Sequence, residues 1–148
     1  MKRFVVFVLA ATALAACNKD KFKTTPTVTV NSLSPSDVVN GQLFTFNATV
    51  TDKEGDLQNT VLIVRKRFNG TSLLSVDTVR YNVAALGFPT KSEVEISAVF
   101  SYGKIVDNTI FQSLETADRN FVVGMVIIDK AGNRSDYAES GPIVLHKF

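Results

Sequence analysis

The sequence predicts an all-β fold, a single two-sheet sandwich of about seven short strands, and three observations carry this. Phe44, Phe46, Ala48 and Val50 alternate with Leu43, Thr45, Asn47 and Thr49, the period of a strand with one face in a core and one in water. Turn residues such as Ser34-Pro35-Ser36-Asp37 and Asn69-Gly70 separate the apolar runs at intervals that fit a two-sheet sandwich better than a barrel or a parallel α/β fold. Phe121 to Ile128 is apolar on both faces, as a central strand covered on both sides would be.

The first element is a leader. Lys2 and Arg3 precede an apolar run from Phe4 that continues in small residues to Ala16, the charged and apolar regions of a secretory signal. Its thirteen residues fall short of the roughly 20 needed to cross a hydrocarbon core about 30 Å thick. Asn18 to Pro26, with Lys19, Lys21 and Lys23, reads as a solvated tether. Removing the leader takes two of the sixteen basic residues and leaves fourteen against fourteen acidic ones. A neutral chain of this kind argues against a nucleic-acid partner.

Seven strands follow. Thr27 to Asn31 is the first and Gln42 to Thr51 the clearest. Asn59 to Phe68 and Leu73 to Tyr81 flank Asn69-Gly70 and should pair as a hairpin. The basic triplet Arg65-Lys66-Arg67 reads as a gatekeeper against aggregation of Val61 to Val64 rather than a binding patch. Glu93 to Phe100 places Val94, Ile96, Ala98 and Phe100 inward, Phe121 to Ile128 is central, and Gly141 to Lys147 is last. Between Asp107 and Asn120 an irregular crossover is expected, with one helical turn capped by Asn108 and presenting Ile110, Phe111 and Leu114 on one face.

Two resemblances add to this reading. Leu14-Ala15-Ala16-Cys17 resembles the lipobox of bacterial lipoproteins, which implies cleavage before Cys17 and lipid on its thiol. Each buried CH₂ of an acyl chain contributes about 0.8 kcal/mol, so several chains on one cysteine anchor firmly. The expected location is then the cell envelope, at the outer membrane on its periplasmic or surface-exposed face. Second, Thr49-Val50-Thr51-Asp52-Lys53-Glu54-Gly55-Asp56 and Val126-Ile127-Ile128-Asp129-Lys130-Ala131-Gly132-Asn133-Arg134-Ser135 are similar to strand ends of immunoglobulin-like and fibronectin-type sandwich domains of bacterial surface proteins. The expected domains are a signal peptide over 1–16, a lipidated tether over 17–26 and an immunoglobulin-like β-sandwich over 27–148.

Little in the sequence suggests catalysis. With one cysteine and one histidine there is no Cys/His zinc site, and His146, on the last strand beyond inward Ile143 and Leu145, reads as a solvated edge residue rather than a catalytic base. Glu93 and Glu95, about 7 Å apart on one strand face, have the spacing of a glycosidase pair but read as carboxylates on a wet face. No cofactor is required, with calcium as the one candidate. The immunoglobulin-like arrangement brings Asp52, Glu54 and Asp56 to the same end as Asp129 and Asn133, and calcium takes six to eight oxygens. The competing reading is ordinary turn chemistry around Gly55 and Gly132. Asp77-Thr78-Val79 resembles a short bacterial O-glycosylation motif, with Thr78 as acceptor. The expected function is a non-enzymatic binding or adhesion module for a protein or glycan at the membrane. The alternative is a structural spacer or assembly subunit pairing through a sheet edge, and the third choice a carbohydrate-active enzyme.

Overall fold

The computed structural model describes residues 24–86 and 90–148. Leu14, Ala15, Ala16 and Cys17, with the leader and most of the tether, lie outside the described residues. The described residues form ten strands and one 3-10 turn (Val83–Leu86). They are β1 Thr27–Ser34, β2 Asp37–Val38, β3 Leu43–Thr51, β4 Thr60–Asn69, β5 Ser72–Asn82, β6 Glu93–Tyr102, β7 Ile110–Gln112, β8 Arg119–Ile128, β9 Ala138–Glu139 and β10 Ile143–Leu145. One sheet has the order β1-β3-β6-β7, and the other runs β2-β10-β8-β4-β5 with β9 also on β8. The fold is all-β in two sheets, compatible with an immunoglobulin-like sandwich. Among the described residues no helix is long and apolar enough to cross a membrane.

All seven expected strands are present, and three short ones add to them. β2 and β9 are two-residue pieces that close the edge beside β8 and β10. β7 replaces the expected helical turn: Ile110, Phe111 and Gln112 pair in parallel with Phe100, Ser101 and Tyr102. The reason is the corner before it. Asn108 takes φ 60°, outside the extended conformation of a helix N-cap, and the Thr109 hydroxyl donates to the Val106 carbonyl, so the chain leaves the corner extended.

The alternation in β3 becomes the core. Phe44, Phe46, Ala48 and Val50 are buried against Phe100 and Val94 of β6 and against Phe121, Val123, Met125 and Ile127 of β8. Phe44 and Phe100 are cross-strand neighbours stacked at 4.8 Å, and Phe121 from the opposite sheet meets both edge-on, at 5.7 and 6.3 Å. Each buried phenylalanine contributes about 1.5–3 kcal/mol, and the edge-on geometry adds to that. Tyr102 is equally buried because its hydroxyl is satisfied, donating to the His146 carbonyl at 2.8 Å and accepting from the Glu115 amide at 2.9 Å.

β4 and β5 form the expected hairpin, turning at Gly70 with φ 59°. The basic triplet, expected as a gatekeeper, is held in ion pairs. Arg65 and Arg67 continue the inward face of Val61 and Ile63. Arg65 pairs with Asp77 and donates to the Phe111 carbonyl at 3.0 Å; Arg67 pairs with the buried Glu115 at 2.8 Å. At that end paired guanidinium groups line a cleft between the sheets, and burial lowers the Arg65 pKa. Only Lys66 faces outward, onto Glu139 at 2.6 Å.

Candidate metal centre

Strand parity sets the geometry of one tip. In β3 the inward residues are Phe44, Phe46, Ala48 and Val50, and the next position of that parity is Asp52. In β8 they are Phe121, Val123, Met125 and Ile127, and the next is Asp129. The two strands belong to opposite sheets, so each delivers a carboxylate to the gap between them just where the strand ends. Both residues are 0% exposed. Asp56, half-buried, completes a group in which one carboxylate oxygen from each of Asp52, Asp56 and Asp129 lies within 4.8 Å of the others.

Backbone contacts fix this arrangement. Asp52 accepts through Oδ2 from the amides of Gly55 at 2.9 Å and Asp56 at 3.3 Å, and its own amide donates to the Ser92 carbonyl at 2.9 Å. Gly55 has φ 67°, and a Cβ there would lie 3.1 Å from the Lys91 carbonyl carbon, so this turn requires glycine. The second loop is tied by Asp129, whose Oδ1 accepts from the Asn133 amide at 2.7 Å and whose Oδ2 accepts from the Asn133 side chain at 2.8 Å. The loops are joined directly: the Lys130 amide donates to the Asp56 carbonyl, and the Asn59 side chain to the Asp129 carbonyl.

One atom is left over. Asp52 Oδ1 is buried with no hydrogen-bond partner, an arrangement that costs about 1–3 kcal/mol or more for a charged group. Burial first, and then the neighbouring Asp56 carboxylate, push the Asp52 pKa above its ordinary value. A hard cation coordinated by Asp52 Oδ1 and by oxygens of Asp56 and Asp129 removes both costs, and oxygen-only donors suit calcium. The residues therefore fit a calcium ion, which Asp52, Asp56 and Asp129 would hold.

The five sequence candidates divide. Asp52, Asp56 and Asp129 come together. Asn133 positions Asp129 through its amide and side chain, and Glu54 is exposed outside the cluster. Asn59 was not legible as part of the tip, because only the tertiary contact reveals its role. Elsewhere, Glu93 and Glu95 are exposed on β6, and Thr78 is exposed on β5. His146 is not a simply solvated edge residue: its ring lies 3.2 Å from both Asp37 and Asp118, and these carboxylates raise its pKa. The Ser36 hydroxyl donates to Asp37 at 2.7 Å.

No family model matches the chain, and no curated protein matches it. Similar solved structures include the sporulation control protein Spo0M of Bacillus subtilis, at 10% identity and a TM-score of 0.45, over 84% of this chain and 50% of that one. The C-terminal domain of Wzt is similar at 14% identity and a TM-score of 0.39, over 83% and 70% of the two chains. The CARDB domain of a Pyrococcus furiosus protein, in complex with di-metal ions, is similar at 14% identity and a TM-score of 0.30, over 84% and 97%. The chain thus spans half the length of Spo0M, and likenesses of this size carry no argument about ligands or partners.

Proposed function

We propose that the chain is a non-enzymatic binding module of the cell envelope, anchored by lipid on Cys17 and stiffened by calcium at its membrane-proximal tip. The observation that carries this is the polarity of the sandwich. Thr27, where the tether enters, pairs with Thr51, one residue before Asp52, so tether and carboxylates share one end. The large apolar side chains left in solvent lie mainly toward the other end: Val39, Leu43, Ile105, Phe111 and Phe148, with Ile105 80% exposed. Leu43 and Phe111 both flank Ser101, on the two strands beside β6. An exposed apolar surface far from the anchor favours a partner. A rigid proximal tip presents that surface with less ordering cost on binding. The ten residues from Cys17 to Thr27 reach at most about 35 Å, which keeps the module near the membrane.

The test is site-specific photo-crosslinking in intact envelopes. A crosslinker at position 105 should give one discrete adduct, and the same group at exposed Lys53 none. Self-dimers from position 105 would replace this reading with an assembly subunit, and no adduct at either position would overturn it.

A further inference from the structure

The two sheets part along one side. β6 is paired by β3 along its whole length, but β7 covers only Phe100–Tyr102, so among the described residues no strand lies beside Glu95–Val99. Under that free edge is a cleft of about 490 Å³. Ile96 and Ala98 of β6 form one wall; Val61, Ile63 and Tyr81 of the opposite sheet, with Val83 of the 3-10 turn, form the other. The corner at Asn108–Ile110 closes one end, so the cleft continues the line of β7. The free edge is about 17 Å long at the rise of a strand. Its hydrogen-bonding groups alternate with side chains that point into the apolar cleft and out to solvent, and such a row recognises an extended backbone rather than a compact small molecule. Glu95 stands exposed on the outer face beside the edge.

We propose that this edge accepts an extended peptide, added as a strand beside Glu95–Val99. Its apolar side chains at alternate positions enter the cleft, and a basic side chain on its outer face lies against Glu95. The inference concerns the side of the sandwich and does not depend on the distal end capturing a partner.

The probe is a synthetic heptapeptide alternating lysine and valine, titrated into the isotope-labelled full chain carrying Cys17→Ser. Amide shifts should be confined to Glu95–Val99 and the cleft walls. Glu95→Lys, a surface change, should weaken binding about threefold. Ala98→Phe, which fills the cleft, should abolish it; if that variant fails to fold, Glu95→Lys still decides. No shifts at millimolar peptide, shifts elsewhere, or equal binding of a scrambled peptide would overturn the proposal. So would broadening of the β6 amides with protein concentration alone, which would give the edge to a second copy of this chain.

Discussion

Replacing Gly124 with alanine should destabilise the sandwich, although alanine is intrinsically better than glycine in a strand by about 0.5–1 kcal/mol. Gly124 interrupts the apolar run of β8, and the ring of Tyr137 lies over it: a Cβ at 124 would collide with the Tyr137 hydroxyl and two ring carbons. The ring is held from three sides. Its hydroxyl donates to Glu139 at 2.8 Å, Lys66 Nζ sits 4.6 Å from its centroid, and Lys66 pairs with Glu139 at 2.6 Å. Displacing the ring forfeits a cation–π contact of about 0.5–1 kcal/mol and incurs overpacking of about 1–3 kcal/mol. Set against the gain in strand propensity, the net loss is about 0.5–3.5 kcal/mol, a fall in melting temperature of roughly 2–17 °C. The assay is thermal and urea unfolding of four proteins: wild type, Gly124→Ala, Tyr137→Ala and the double variant. Once Tyr137 is gone, Gly124→Ala should become neutral or stabilising by about 0.5 kcal/mol. An equal loss in both backgrounds, or a gain in the wild type, would refute the reasoning.

Three further outcomes are expected. Asp37 and Asp118 raise the His146 pKa, and their own are lowered: Asp37 first by the Ser36 hydroxyl and then by His146, Asp118 first by the Lys147 amide and then by His146. The stabilisation is thus fully present below the ordinary histidine pKa near 6.5 and lost as pH rises through the raised value; the aspartate contribution is lost at acid pH. The melting-temperature gap between wild type and His146→Gln should therefore be widest at about pH 5–6 and close on going alkaline. Intact mass of protein from its native host should exceed the lipidated polypeptide by a glycan, and Thr78→Ala should remove the excess. Cys17→Ser should release the protein from membranes into the soluble fraction, and retention through a high-salt wash would contradict the anchor.

Much of the fold was legible because it is written in short-range alternation. The parity that fixes Phe44 to Val50 as core also carries Asp52 inward, and the same holds from Phe121 to Asp129, so the tip was foreseeable from strand ends alone. What was not legible depends on partners far along the chain. Ile110 to Gln112 has too few residues for a period, and only the neighbouring edge of β6 makes it a strand. Arg65 and Arg67 read only as part of a basic triplet, whereas their inward placement rests on the partners Glu115 and Asp77. Tyr137 over Gly124 is likewise a tertiary pairing with no local signal. Glu54 was grouped with the ligands by alternation through a loop, where alternation has no meaning.

Melting with and without calcium reads the carboxylate tip. At a hundred times its dissociation constant, calcium should stabilise the wild-type chain by about 2.7 kcal/mol, a rise of roughly 8–13 °C over the chelated protein. Asp52→Asn, which removes the charge from the unpartnered Oδ1, should abolish that rise. Superimposable wild-type melting curves in millimolar calcium and in chelator would contradict the account and leave the two loops as turns.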